Sequence, residues 1–248
     1  MTAILSAGRR LLPRGYLDFA WQIALWLGFY TAYQAVRGHA DRDVTLAFEN
    51  ARRVADLEQR LGSLWELSLQ GVLGSSDVLI QLTSWTYWLS QFTVLGLTLL
   101  WVYLRRNESF LRFRNTILTA NLIGLAGYAL MPTAPPRMLP ELGFQDTLAL
   151  FSSVNHSSAA VEAASNPYAA MPSLHAADAL IVGVTMALIV RRPLFKALWL
   201  CWPLWVWFTV MATANHWWLD IAAGVAVAGA AAGLLVAWER HRPRLRTA

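Results

Sequence analysis

Blocks of about 20 mainly apolar residues recur along this 248-residue chain and limit the folds open to it. That is about the length a helix needs to cross the hydrocarbon core of a bilayer. The chain is 56% hydrophobic and 14% charged, whereas soluble domains are about 45–50% apolar and about 25% charged. Lipid offers backbone groups no partners, and the alternation typical of barrel strands is absent. We therefore expect an all-α integral membrane protein.

The apolar blocks predict a single membrane domain with six transmembrane helices. The predicted spans are 16–36, 78–104, 116–131, 174–190, 197–214 and 217–238. The first block follows a basic stretch, but it is too long, and ends in residues too bulky, for a cleaved signal peptide. We therefore expect it to be retained, and residues 239–248 to form a basic cytoplasmic tail.

The basic residues predict the orientation of these spans in the cell membrane. They cluster at the ends of the apolar blocks, so the sequence pI of about 9.8 indicates topology rather than nucleic-acid binding. With the N-terminus inside, fourteen lysines and arginines lie on the cytoplasmic side and six outside, in agreement with the positive-inside rule. Both termini are then cytoplasmic. The six outer residues are Arg37, Arg42, Arg52, Arg53, Arg60 and Arg137.

Two outer segments between spans are not predicted to cross the membrane. Residues 44–73 form an amphipathic pattern, which predicts a helix on the outer membrane surface or packed over the bundle. Its apolar positions are Val54, Leu57, Leu61 and Leu64. Residues 132–172 form a long loop rich in proline, and loops of this length are usually functional or disordered. We expect an ordered cover with a softer middle over the site.

Two histidines at helix ends are the strongest candidates for chemistry. His175 begins the fourth predicted span and His216 precedes the sixth, 41 residues later. One helix inward and one helix back return the chain to the same membrane face, so the two side chains can meet. Asp220 lies four residues after His216, on the same helix face, and can accept its Nδ1 proton. The free Nε2 is then a competent nucleophile toward phosphorus, and His175 can protonate a departing oxygen.

Other polar residues on the same side suit an anionic substrate. Ser173 follows Pro172 as a predicted N-cap, and a helix N-terminus attracts anions. Arg137 can bind phosphate through its planar guanidinium, or it can be an interfacial residue with its charge in the head groups. Asp178 either orients His175 or is a first-turn acid favoured by the helix dipole. The set needs no metal ion or cofactor; the further expected substrate contacts are Tyr168, Asp178 and Asn215.

The segments "PSLH" and "HWWLD" resemble the second and third signatures of the type 2 phosphatidic acid phosphatase superfamily. The resemblance implies a six-helix core and a phosphohistidine mechanism on phosphorylated lipids. It implies His216 as nucleophile, Asp220 as its partner, His175 as general acid and Ser173 as a phosphate contact. The segments "PTAPPRM" and "NPYAAMPSLHAA" are similar to the inositolphosphotransferase branch, which contains inositol phosphorylceramide synthase-like proteins.

The sequence departs from these signatures at two cationic positions. The nearest spacing match to the first signature, Arg105 to Arg112, is predicted to lie across the membrane from the histidines, so Arg137 is the better stand-in. The third signature has an arginine six residues before its histidine, where this chain has Val210. The missing charge would come from one of four arginines, which are Arg37, Arg42, Arg52 and Arg53.

These observations predict an extracytoplasmic lipid phosphatase or phosphotransferase that acts on a lipid phosphate ester or anhydride. Water, or an acceptor alcohol such as inositol, would resolve the phosphohistidine. One alternative is a polyprenyl (di)phosphate phosphatase of the same superfamily. An alternative from another class, in which His216 and Asp220 are a structural pair, is a non-catalytic lipid-binding protein or transporter. The partners expected are a lipid phosphate and membrane lipids, with no nucleic acid; the oligomeric state is not indicated.

Overall fold

The computed structural model describes residues 12–40, 43–151 and 167–241, and this part of the chain is helical without strands. A π-helical turn, Ser90–Val94, joins the helices Asp77–Leu89 and Leu95–Arg105 into one continuous helix. The all-α prediction is confirmed for these residues. The helices are α1 (Gly15–Ala40), α2 (Val44–Arg60), α3 (Trp65–Leu73), α4 (Asp77–Leu89), α5 (Leu95–Arg105), α6 (Asn107–Leu130), α7 (Thr147–Phe151), α8 (Leu174–Ile189), α9 (Pro193–Ala212) and α10 (Trp218–His241).

Three helical segments in the described part are long and apolar enough to cross a membrane. They are Asp77–Arg105, Pro193–Ala212 and Trp218–His241, and α8 is apolar but shorter. The chain is therefore a membrane protein. Helices overlap all six predicted spans, but α1 and α6 carry more polar residues, so the count of six stays a prediction. Helix α6 also begins nine residues before the predicted start at 116.

Helices α5, α6, α8 and α10 surround the main apolar core, and α1 packs on its outside. At one end of the bundle the Arg14 side chain donates to Asn107 Oδ1 over 2.7 Å, and Arg112 pairs with Glu239. These contacts gather the starts of α1 and α6 and the end of α10 at the same end. The starts of α8 and α10, which carry the histidine motifs, lie at the other end.

The surface segment 44–73 forms two helices instead of the one predicted. Gly62 adopts a left-handed φ of 64°, and the chain turns there between α2 and α3. Of the predicted apolar positions, Val54 is buried against the protein, whereas Leu57 and Leu61 are 48% and 59% exposed. Apart from Val54, the buried face of α2 contains small or polar residues, and it packs over the site loop and Trp217. Its members are Ala47, Asn50, Ala51, Val54, Ala55 and Glu58.

The two ends of the 132–172 loop pair with each other beneath α2. Thr133 forms an isolated bridge with Ala169, and the Ala134 N–H donates to the Ala47 carbonyl over 3.0 Å. Two 3-10 turns, Pro136–Met138 and Pro140–Leu142, follow the first end. The ends therefore form an ordered cover, whereas the softer middle that we predicted falls mostly at 152–166, outside the described residues.

A glycine sets the distance between α8 and α10. A Cβ at Gly224 would lie 2.3 Å from the Ser173 carbonyl oxygen, whereas one at Gly229, on the same helix, meets open space. We expect Gly224→Ala to lower the free energy of unfolding by about 1–3 kcal/mol, because the helices must separate. Gly229→Ala is the matched control and should leave stability unchanged or slightly higher. Thermal unfolding in detergent measures both; equal melting temperatures would contradict the close contact.

Candidate active site

A cavity of about 550 Å³ runs through the bundle, within the roughly 300–1,000 Å³ typical of small-ligand sites. His175, His216, Arg137 and Asn215 line one end, and the rest of the wall is mainly aromatic and aliphatic. The wall continues along α1 and α5 toward the opposite end of the bundle, where Phe19, Tyr103 and Phe110 line it. This division of the wall matches a molecule with a polar head group and a long apolar tail.

The two histidines meet at the polar end of the cavity, as the topology argument expected. Their ring centroids are 5.7 Å apart with planes inclined at 61°. His175 lies in the first turn of α8, and the Tyr87 ring of α4 stacks on it with centroids 4.7 Å apart. His216 lies in the turn between α9 and α10 and is buried. Both imidazoles can therefore reach a single small anion.

The surroundings of His216 decide which ring nitrogen carries the proton. Nδ1 lies 2.9 Å from the Ala170 carbonyl oxygen and 3.3 Å from Asp220 Oδ2. A carbonyl oxygen can only accept, so Nδ1 carries the proton and Nε2 keeps its lone pair. Burial lowers the pKa of His216 to about 3, and the Arg137 charge acts in the same direction against the Ala170 hydrogen bond. The ring is therefore neutral at physiological pH.

The turn that carries His216 is fixed by Val210. Its carbonyl accepts the backbone N–H groups of Asn215 and His216, each over 3.0 Å. Ala214 has a left-handed φ of 54°, a conformation that costs a residue with a side chain about 1–2 kcal/mol. The Val210 side chain is fully buried. This position therefore orients the turn that carries His216 through its backbone and supplies no charge.

Arg137 is the arginine that lines the cavity in the described part of the chain. Its Nη1 donates to Asn215 Oδ1 over 2.7 Å, and its Nε pairs with Asp146 Oδ2 at 3.3 Å. The pairing with Asp146 was not anticipated from the sequence. Its side chain is 18% exposed and lines the cavity beside the two histidines.

The other arginines proposed to strengthen the phosphate site lie elsewhere or outside the description. Arg52 pairs with Glu141 and Arg53 with Glu49, all with well exposed side chains. Arg42 and the side chain of Arg37 are not among the described residues. The described part of the chain therefore gives Arg137 no cationic companion in the cavity wall.

Three of the expected substrate contacts have structural partners of their own. Ser173 caps α8 as predicted, since its Oγ accepts the Ala176 N–H over 3.2 Å, and it is fully buried. The Tyr168 ring packs edge-on against Phe48, and Tyr168 does not line the cavity. Asp178 accepts hydrogen bonds from Gln91 and Asn121 rather than contacting His175. A phosphate contact by Ser173 stays a prediction.

A pair of buried glutamates, missed from the sequence, holds the start of α10. Glu66 Oε1 accepts the Trp218 N–H over 2.5 Å, and Glu58 Oε1 accepts the Leu219 N–H over 3.1 Å. Both side chains are fully buried. Burial raises the pKa of Glu58 to about 9, reinforced by repulsion from Glu66, and raises that of Glu66 to about 6. Glu58 is four residues after Val54 and therefore lies on the same face of α2. This spacing could have predicted that Glu58 is buried.

Comparison with known proteins agrees with the motifs. Residues 52–234 match the PAP2 superfamily, and the chain belongs to it. Over 143 residues the chain is 29% identical to the phosphoinositol dihydroceramide synthase of Bacteroides thetaiotaomicron, a match that covers 50% of this chain and 45% of that protein. The matched part is thus less than half the length of this relative. No solved structure matches the chain significantly. The family predicted from "PSLH" and "HWWLD" is confirmed.

The glutamate pair predicts how stability depends on pH. Folded Glu58 holds its proton up to about pH 9, while the unfolded carboxyl releases it near its ordinary value of 4.5. The folded state binds more protons in this window, so stability falls as pH rises through it. Glu58→Gln mimics the protonated form and should flatten the fall in melting temperature between pH 5 and pH 9.

Asp56→Asn, at an exposed acid on the same helix, is the matched control and should keep the wild-type slope. The same slope in Glu58→Gln as in wild type would refute the buried protonated carboxyl.

Proposed function

We propose that this protein is a lipid phosphatase or phosphotransferase that works through a phosphohistidine on His216. The observation that carries the proposal is the convergence of two imidazoles, 5.7 Å apart, at the polar end of an apolar cavity. The hydrogen bond from Nδ1 to Ala170 and the nearby Asp220 leave Nε2 available as the nucleophile. Membership of the PAP2 superfamily supports the same chemistry.

In the proposed first step, His216 Nε2 attacks the phosphorus of a lipid phosphate ester or anhydride. The bond from phosphorus to the leaving oxygen breaks, and His175 gives that oxygen a proton. In the second step, water or an alcohol attacks the phosphohistidine while His175 takes its proton, and the P–N bond breaks. Arg137 binds the non-bridging oxygens, in exchange for part of its pairing with Asn215 and Asp146. The α8 N-terminus, capped by Ser173, faces the same anion.

The proposed arrangement in the cell membrane has six spans, cytoplasmic termini and an extracytoplasmic site. The contacts of Arg14 with Asn107 and of Arg112 with Glu239 support it, since they gather predicted cytoplasmic segments at one end. The histidines lie at the opposite end, beneath the surface helices α2 and α3. Fourteen of the twenty basic residues belong to the segments predicted to lie at the end opposite the histidines, which favours that end as the cytoplasmic one.

A lipid substrate is supported by the side opening of the cavity. Leu27 and Tyr30 of α1 and Phe92 after α4 line it, and each is well exposed on the lipid-facing surface. A lipid can therefore slide in from the bilayer with its tail between α1 and α5. The similarity to a phosphoinositol dihydroceramide synthase favours transfer of an inositol-phosphate-type head group to an alcohol over hydrolysis.

Variants of the two histidines separate their proposed roles. His216→Ala should abolish turnover of every substrate, because no phosphohistidine can form. His175→Ala should slow the first-turnover release of the alcohol from an alkyl phosphate by about 10²- to 10⁴-fold but leave the first-turnover release of an aryl oxide far less affected, because an aryl oxide leaves without a proton. Later turnovers should slow for both substrates, since His175 also accepts the proton in the second step. The measurement is release of the alcohol or aryl oxide in the first and later turnovers by purified protein in detergent.

The matched control is His241→Ala, at an exposed histidine at the end of α10, which should retain wild-type rates. Full activity in His216→Ala would overturn the mechanism. Loss of turnover in all three variants would indicate a folding defect, which their melting temperatures identify.

The fate of the head group distinguishes transfer from hydrolysis. Phosphatidylinositol labelled in its inositol is incubated with the protein, with and without a short-chain ceramide. Transfer predicts a labelled lipid product that depends on the ceramide, whereas hydrolysis predicts free inositol phosphate in both cases. Turnover of neither phosphatidylinositol nor a polyprenyl diphosphate, with no vanadate binding, would favour the non-catalytic alternative.

A further inference from the structure

The helix formed by α4 and α5 widens into a π turn at Ser90–Val94, and Gln91 in that turn lines the cavity. Such turns occur frequently at functional sites. Gln91 Nε2 donates to Asp178 Oδ2 over 2.8 Å, and Asn121 Nδ2 donates to Asp178 Oδ1 over 2.7 Å. A polar contact among three helices thus crosses a wall that is otherwise mainly apolar. The mechanism above does not use it.

The hydrogen bonds to the Asp178 carboxylate determine which atom of each amide is available to a ligand. It accepts the amide nitrogens, so the oxygens of both amides point elsewhere. Asn121 gives its second N–H to the Ile117 carbonyl over 3.0 Å, so only its Oδ1 remains. Within the described residues no hydrogen bond reaches Asn121 Oδ1 or Gln91 Oε1, and both side chains line the cavity. The wall therefore offers two acceptor oxygens without donors.

These oxygens lie about one helical turn from the reacting groups. Asp178 is three residues after His175, and Gln91 is four residues after Tyr87, which stacks on His175. At 1.5 Å per residue, each separation is about 4.5–6 Å along its helix. A lipid with its reacting oxygen between the imidazoles would bring the next few atoms of its backbone to this level. An acceptor without a partner is costly in apolar surroundings, so a ligand that donates there is favoured.

We propose that Gln91 and Asn121, positioned by Asp178, form a subsite for hydrogen-bond donors on the lipid backbone beside the reacting oxygen. The subsite selects the N-acyl amino alcohol class, ceramides among them, whose amide N–H and secondary hydroxyl both donate. A diacylglycerol backbone, as in a phosphatidylinositol donor, can bind there but less tightly, because its ester groups only accept. This inference rests on the proposed function for its choice of reacting oxygen, but the binding preference is measurable without turnover.

Binding of lipids without phosphate tests the subsite directly. A fluorescent short-chain ceramide is bound to the purified wild-type protein and displaced by three competitors of matched chain length. These are ceramide, diacylglycerol and a ceramide methylated at both its amide nitrogen and its secondary hydroxyl. We expect ceramide to compete about tenfold or more better than the other two, as the loss of one or two neutral hydrogen bonds requires. Equal competition by all three in wild type would overturn the proposal without any variant.

Variants assign the preference to the π turn. Gln91→Met keeps the size of the side chain but removes the acceptor, and it should bring the three competitors to within about threefold of each other. Thr93→Val, at an exposed residue of the same turn that does not line the cavity, is the matched control and should keep the wild-type preference. An undiminished preference in folded Gln91→Met would assign it elsewhere and defeat the proposal.

Turnover of two phosphodiesters, ceramide phosphoinositol and phosphatidylinositol, separates this inference from the proposed function. A binding preference without turnover of either phosphodiester would leave the subsite in place and defeat the proposed chemistry. Turnover of both with equal kcat/KM, together with equal binding of the two backbones, would support the proposed chemistry and defeat the subsite.

Discussion

The contact between the start of α8 and the first turns of α10 is the constraint on which the site depends. The Ser173 N–H donates to the Asp220 carbonyl over 2.9 Å, and Gly224 leaves no side chain between the two backbones. Membrane helices lack a hydrophobic drive to associate, so small residues that permit close packing take its place. His175 is two residues after Ser173, and His216 is four residues before Asp220. Their convergence therefore follows from a backbone contact rather than from an attraction between imidazoles.

Buried acids stabilise the start of α10, which is the second partner in this contact. The first turn of a helix has N–H groups without partners and a partial positive charge, and carboxylates satisfy both. At α10 these acceptors come from Asp220 on the helix itself and from Glu58 and Glu66 on α2 and α3. Three buried acids so close together would repel one another if all were ionised, and the raised pKa of Glu58 relieves this. The surface helices are thus part of the support of His216.

Local sequence was enough to predict the helices and the histidine pair, because each depends on composition or on spacing along one helix. It failed where burial had to be assigned. In a membrane protein both the core and the lipid-facing surface are apolar, so Leu57 and Leu61 gave no information about which face of α2 is buried. The Ala170 carbonyl that holds His216 belongs to the backbone, and no side-chain pattern encodes it.

The π turn at Ser90–Val94 is a further case that spacing could not predict. It places Gln91 toward Asp178, a contact between residues 87 positions apart. An extra residue in a helical turn costs local hydrogen-bond geometry and is retained where a tertiary contact compensates it. A pattern within the sequence of one helix cannot predict that contact. The same reasoning explains why Asp178 could be assigned two roles from sequence, neither of which involved Gln91 or Asn121.

The single cation in the described cavity wall bears on the kind of phosphate that suits the proposed chemistry. A phosphomonoester carries about −1.5 to −2 charges at neutral pH, whereas a phosphodiester carries one. Beside Arg137 and the Asp146 that pairs with it, a diester adds one negative charge, whereas a monoester adds up to two, with no second cation in the described cavity wall. Where the superfamily signature has a second arginine, Val210 supplies only a carbonyl. The electrostatics therefore favour a diester donor, and with it transfer of a head group over removal of a terminal phosphate.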